Sequence, residues 1–163
     1  MTHTLKLLSH SPEETQRIGE VLGHHAQKGD VFLLTGGLGA GKTCLAQGIA
    51  WGLGIQEYLR SPTFVLVAEL EGRLKLYHMD LYRLDNVAEV VDLGLDDYLF
   101  GQGICVVEWA DKAEDVFPTQ HLLIQLSYVS VTQREFFLTA SDQRYETLID
   151  QLQNESPAVA PGN

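Results

Sequence analysis

The stretch Gly36-Gly37-Leu38-Gly39-Ala40-Gly41-Lys42-Thr43 constrains the fold of this chain more than any other. It follows a short, wholly apolar run, Val31-Phe32-Leu33-Leu34. Such a run reads as a strand buried on both faces. Residues from Lys42 to about Leu53, closed by Gly54, read as a helix. The loop between them fits the pattern G-x-x-x-x-G-K-[ST]. Its glycines let the backbone curl around an anion and turn successive N–H groups inward. The N-terminus of the following helix adds its dipole to the same charge. Lys42 then reaches the β- and γ-phosphates, and the Thr43 hydroxyl is a ligand for Mg²⁺. The plainer alternative, a glycine-rich turn that merely caps a helix, is disfavoured by the complete pattern and by its flanking strand and helix. The expectation is a chain that binds ATP or a close relative together with Mg²⁺.

Around this unit the chain punctuates itself clearly. Leu5 to Leu8 reads as a short strand. Ser11-Pro12-Glu13-Glu14 is a helix start, with a capping hydroxyl, a proline in the first turn and acids near the positive end of the dipole. That helix carries Ile18, Val21 and Leu22 on one face and ends near Lys28-Gly29-Asp30. Phe64 to Leu70 and Leu74 to Asp80 form a hairpin about a tight turn at Glu71-Gly72. Asn86 to Asp97 is helical and broken at Gly94. Ile104-Cys105-Val106-Val107 is a second buried strand. Phe117-Pro118 is a turn, His121 to Tyr128 and Arg134 to Thr139 are strands, and Gln143 to Leu152 is a final helix. Residues 1–153 make one domain, and 154–163, with Pro157, Pro161 and no core pattern, form a disordered tail.

Two acids stand where such a loop needs them. Glu108 directly follows the apolar run 104–107, at the C-terminal edge of a parallel sheet, where ligands bind in such folds. It is the candidate Mg²⁺ ligand beside Thr43, and an ordinary strand-end acid is the alternative. Trp109 next to it either walls the nucleotide pocket or plugs the core. Asp80 lies in His78-Met79-Asp80-Leu81-Tyr82-Arg83. It either orients the attacking water or holds a metal-bound water, or else it pairs with Arg83 or caps a helix. His78, two residues away, shares its strand face. Ser61-Pro62-Thr63 is either a loop that senses the γ-phosphate as a switch or a plain turn.

Bulk composition excludes several partners. The 163 residues carry 22 acidic and 11 basic side chains, a formal net charge of −11. Gripping nucleic acid alone needs a basic face, and so does an anionic membrane surface. A basic protein partner fits better, although a solvated acidic surface is the plainer account of most of the charge. Cys44 and Cys105 form no CxxC, and both are expected to be reduced thiols. The start resembles no signal peptide and no apolar run approaches membrane-spanning length, so the expected location is the cytoplasm.

Taken in order, Gly39-Ala40-Gly41-Lys42-Thr43, Ser61-Pro62-Thr63, His78-x-Asp80-Leu81-Tyr82-Arg83 and Val107-Glu108-Trp109 resemble the TsaE (YjeE) family of bacterial P-loop ATPases. The resemblance spans residues 4 to 140. It implies an α/β fold: a single P-loop NTPase-like three-layer domain with a mixed, mostly parallel sheet, an inserted β-hairpin and antiparallel C-terminal strands. It implies a role in forming N6-threonylcarbamoyladenosine at position 37 of tRNAs that read codons beginning with A. ATP hydrolysis there resets the TsaB–TsaD complex, in which TsaD carries the transfer chemistry. Carried over by motif, Gly36, Gly37, Leu38, Gly39, Ala40, Gly41, Lys42 and Thr43 hold the phosphates, and Thr43 and Glu108 hold Mg²⁺. Asp80, Glu108 and Lys42 support hydrolysis, Ser61, Pro62 and Thr63 form the switch-like loop, and Arg134 contacts the nucleotide. Ser11-Pro12 borders the adenine. The family usually begins the loop Gly-Asp-Leu-Gly, and this chain has Gly37 in place of that acid. Cys44 replaces a common threonine. The preference for ATP over GTP comes from the resemblance and from the lack of a guanine-reading Asn/Thr-Lys-x-Asp motif.

Two other functions fit a phosphate loop. A small-molecule P-loop kinase usually adds an arginine-rich lid, which is not evident among the 11 basic residues. A nucleotide-sensing adaptor uses ATP to order a loop and has no need of hydrolysis.

Overall fold

The computed structural model describes residues 3–37, 39–59 and 67–155. Leu38 and Ser61-Pro62-Thr63, and with them the first part of the expected hairpin, lie outside the described residues. In chain order the elements are β1 (His3–Ser9), α1 (Pro12–His25), β2 (Val31–Thr35), α2 (Lys42–Gly52), β3 (Val67–Leu70), β4 (Leu76–Asp80), α3 (Val87–Asp92), α4 (Asp96–Leu99), β5 (Ile104–Glu108), β6 (Leu122–Tyr128), β7 (Arg134–Ala140) and α5 (Gln143–Glu155). Two short 3₁₀ turns, Ala110–Lys112 and Glu114–Val116, follow β5.

One seven-stranded sheet runs β1-β7-β6-β2-β5-β4-β3. The four central strands are parallel: β2 pairs with β5 and β6, and β4 pairs with β5. The flanking pairs β6–β7, β7–β1 and β3–β4 are antiparallel. The mixed sheet of the sequence reading is therefore present, with its parallel pairings confined to the centre.

Alternation along β2 explains the three layers. Phe32 and Leu34 face one core, with Ile18 and Leu22 of α1, Leu45 and Ile49 of α2, and Leu148 and Ile149 of α5. Val31 and Leu33 face a second core, with Val90 of α3, Leu99 of α4, Val107 and Phe117. An all-apolar strand is the sequence signature of a strand covered on both faces. Helices α1 and α2 pack at backbone distance: a Cβ on Gly48 would overlap the Gln16 carbonyl, so only glycine fits there. Nothing in the periodicity of α1 announces that contact.

Several boundaries differ from the sequence reading. Helix α1 stops at His25, short of Lys28-Gly29-Asp30, because Ala26 turns extended (φ −64°, ψ 144°). The Arg73 guanidinium takes the carbonyls of Gly23, His24 and Ala26 at 2.8, 3.2 and 3.1 Å. A cation there also complements the negative end of the helix dipole. This contact removes the tight turn expected at Glu71-Gly72. Leu70 pairs with Leu76, so residues 71–75 form a longer loop that carries Arg73 back to α1. Helix α5 continues through Asn154 and Glu155, beyond the boundary the sequence pattern suggests at 153; residues 156–163 lie outside the described residues. The start of α1 is as read: Ser11 Oγ accepts from the Glu14 N–H at 3.1 Å. Both cysteines are free, and burial pushes the Cys105 thiol up to about 12. Among the described residues no helix is long and apolar enough to cross a membrane.

Candidate functional site

The site lies at the C-terminal edge of the parallel strands, where β2 runs out into the glycine loop and α2 begins. Register brings the acids to it: Leu34 of β2 pairs with Glu108 of β5, and Glu108 pairs with Asp80 of β4. The end of an open parallel sheet is where helix N-termini and strand-end side chains converge on a ligand.

The loop turns sharply at Gly36 (φ 141°), where a side chain would strike the Leu126 carbonyl. Gly39 and Gly41 also have positive φ, 77° and 103°. Gly41 caps α2 without a side-chain bond. The first N–H groups of that helix thus have no capping oxygen from their own N-cap residue, which suits an anion. Lys42 is 5% exposed. Its ammonium donates to the carbonyls of Gly36 at 2.6 Å and Gly37 at 2.8 Å, and sits 3.9 Å from the centroid of the Trp109 ring. Burial pulls its pKa below the ordinary lysine value, opposed by the charges of Glu108, Asp111 and Asp80.

Thr43, in the first turn of α2, donates its hydroxyl to Glu108 Oε1 at 2.8 Å. Glu108 is 2% exposed, and its second oxygen, Oε2, lies 2.5 Å from His78 Nε2. The two residues assigned to Mg²⁺ are thus side by side. A hydroxyl and a carboxylate are the hard oxygen donors that Mg²⁺ takes from a protein, the rest of its shell coming from water and phosphate. Among the described residues no cluster of three or more His, Cys, Asp or Glu could hold a metal by itself. The donor set therefore fits an ion shared with a phosphate and does not fit an all-protein cage.

Asp80 is half-buried and accepts from the Tyr82 N–H at 3.0 Å. Burial raises its pKa above the ordinary carboxylate range. Glu108 pushes the same way, while the Tyr82 N–H, His78 and Lys42 oppose. Trp109 packs on the second core, as one of its two alternatives had it, and its ring also underlies Lys42. Its backbone is left-handed (φ 61°), a strained setting for a non-glycine residue directly after a site acid.

Arg134, at the start of β7, reaches the loop. Its Nε donates to the Gly39 carbonyl at 3.0 Å, and Nη1 donates to Ser130 and Gln133 carbonyls at 2.7 and 2.9 Å. Its guanidinium lies 4.5 Å from the Tyr128 ring centroid. Between Arg134, Gly41, Cys44 and the Ser11-Pro12 helix start is a cavity of about 80 Å³. Ser11-Pro12 and Arg134 thus meet beside the loop, far apart as they are in the chain. Strand spacing placed His78 with Asp80 and gave no sign of its bond to Glu108, since that bond depends on β4 and β5 being neighbours.

Residues 9–136 match the family model described as "Threonylcarbamoyl adenosine biosynthesis protein TsaE". A tRNA threonylcarbamoyladenosine biosynthesis protein TsaE from Bacillus subtilis is 45% identical over 149 residues, 91% of this chain and 93% of that one. One from Treponema pallidum is 42% identical over 131 residues, 80% and 97% of the two chains. The crystal structure of YdiB from Bacillus subtilis superposes with a TM-score of 0.81 at 40% identity, covering 94% and 97% of the two chains.

Proposed function

This chain belongs to the TsaE family of threonylcarbamoyl adenosine biosynthesis proteins, and from that premise we propose that it is a Mg²⁺-dependent ATPase. We infer that it serves the TsaB–TsaD complex in forming threonylcarbamoyladenosine at position 37 of tRNAs reading codons that begin with A. The observation that carries the ATPase reading is the 2.8 Å contact between the Thr43 hydroxyl and Glu108, beside a buried Lys42 at the mouth of the glycine loop.

Each residue has a separable task. The loop N–H groups and the start of α2 cradle the polyphosphate. Lys42 leaves the Gly36 and Gly37 carbonyls and gives its charge to the β- and γ-phosphates; Trp109 beneath it keeps the ammonium in place. Thr43 and Glu108 would hold Mg²⁺, and the ion would supply positive charge against the phosphates. Asp80, with its raised pKa, is a better proton acceptor than an ordinary carboxylate and orients the attacking water. Arg134 and the Ser11-Pro12 edge flank the base. The net charge of −11 suits a chain whose partners are proteins rather than tRNA itself.

The test is a reconstituted modification reaction with TsaB, TsaD, ATP and tRNA followed over many turnovers. The chain is expected to hydrolyse ATP slowly alone, faster with both partners, and to sustain modification. Equal modification with and without it would overturn the role. Asp80→Ala or Glu108→Ala proteins that bind ATP and still support full modification would replace hydrolysis with an adaptor function.

A further inference from the structure

Glu108 is held from two sides, and only one of them belongs to the phosphate-loop pattern. Thr43 of α2 holds Oε1. The other oxygen is held by His78, fully buried on β4. Toward a metal-ligating carboxylate the group His78 offers is a ring N–H, which makes Nε2 the donor of this pair. Among the described residues Nδ1 has no partner, although it is buried. An apolar residue of similar size would fill this place without a buried, unpaired nitrogen. The histidine therefore answers to something other than packing.

We propose that His78 is the positioning residue of the metal site: its Nε2–H fixes the Glu108 carboxylate so that Oε1 alone is presented toward Thr43. A carboxylate on a single-bonded stem can swing, or can offer both oxygens at once. Mg²⁺ takes near-octahedral geometry and keeps several waters, so a chelating carboxylate suits it poorly. Groups that hold a ligating carboxylate by hydrogen bonds typically contribute 10- to 100-fold to metal affinity by orienting it. His78 also ties the site to the sheet edge, because its backbone pairs with Ala68 of β3 on one side and Val106 of β5 on the other. The inference rests on the Mg²⁺ role proposed for Thr43 and Glu108.

The measurement is calorimetric binding of a non-hydrolysable ATP analogue to the full chain, once with Mg²⁺ and once with EDTA. His78→Leu is expected to lower the Mg²⁺-dependent gain in affinity by about 10-fold or more and to leave the EDTA affinity unchanged. His78→Gln, whose amide N–H falls near the position of Nε2, is expected to restore most of the gain. In ¹⁵N-histidine-labelled unmutated protein, the His78 Nε2–H resonance is expected to exchange slowly and to shift with Mg²⁺ and analogue but not with analogue in EDTA. A folded His78→Leu protein with the unmutated Mg²⁺ gain would overturn the inference while leaving the metal site intact. So would a spectrum with no proton on Nε2, which needs no variant to fold. If the unmutated chain showed no Mg²⁺ gain, the Thr43–Glu108 reading would fail and this inference with it.

Discussion

Asp30 and Glu108 are equally buried, at 3% and 2% exposure, and lie at opposite ends of the parallel strands. Asp30 precedes β2 and meets a complete set of partners. Arg144 donates to it twice, from Nε at 3.1 Å and Nη2 at 2.5 Å, and the Gln27 N–H donates at 2.8 Å. That bidentate fork neutralises the charge where it stands. At the other end no such match exists among the described residues. Glu108 is held by a hydroxyl and an imidazole, and Lys42 by two backbone carbonyls. The first arrangement needs nothing more. The second keeps a cation and an anion close together on neutral dipoles, which the proposed phosphate and metal would displace. Burial of charge marks both ends, and the identity of the partner separates fold from site.

The largest effect should come from truncating the cation at the open end. Lys42→Ala is expected to weaken nucleotide binding by about 100-fold, on the order of 3 kcal/mol for removing a desolvated charge from its counter-charge. Its thermal stability should fall little, because the cost of burying the ammonium offsets what the carbonyls, the Trp109 ring and the nearby acids return. Calorimetry and thermal melts read the two quantities separately. Loss of stability with nucleotide binding intact would reverse the assignment of the two ends.

The opposite pattern is expected at the closed end. Arg144→Ala strands Asp30 without its counterion, and breaking buried pairs costs roughly 3 kcal/mol. Arg144 is 23% exposed, so water will recover part of that, and about 2 kcal/mol is the better expectation. Nucleotide affinity should stay unchanged. A urea titration measures the first and calorimetry the second. A smaller effect belongs to Arg134, which touches the loop from outside. Arg134→Ala is expected to cost about 1 kcal/mol, roughly fivefold in ATP affinity, with little change in stability. Unchanged affinity would remove Arg134 from the nucleotide site.

Much of this contrast could be read from the chain, and the part that could not has a common cause. The pattern at 36–43 and the two-faced apolar run at 31–34 locate the loop, the central strand and the two cores. Glu108 follows because an apolar run stops at an acid, and Asp80 because the expected strand over 74–80 ends on one. What stayed hidden depends on which distant segments become neighbours. The Arg144–Asp30 pair spans 114 positions, and the Arg73 contact that ends α1 spans about 50. His78 and Glu108 are 30 apart and meet only because β4 and β5 are adjacent. Period-two alternation reports the face of a strand and never its neighbour. The strained backbone of Trp109 likewise has no local signal, since tryptophan has no preference for a positive φ.

The smallest expected effect separates the two ends by pH. Burial raises the Asp80 pKa in the folded chain above its unfolded value of about 3.9. In the interval between those two values the folded state binds more protons than the unfolded one, so stability falls as pH rises. The advantage of the protonated form is full below the unfolded value and lost once pH passes the raised folded value. At neutral pH the folded chain therefore carries an ionised Asp80 at a cost, and Asp80→Asn should melt slightly higher than the unmutated protein while losing turnover. The gap should close on acidification toward the unfolded value. Asp30→Asn should do the reverse at neutral pH, melting lower because it gives up half of the Arg144 fork. Melts of nucleotide-free protein across a pH series measure both. If Asp80→Asn melted lower at neutral pH, Asp80 would belong with Asp30 among the residues that hold the fold, and its place beside Glu108 would be structural.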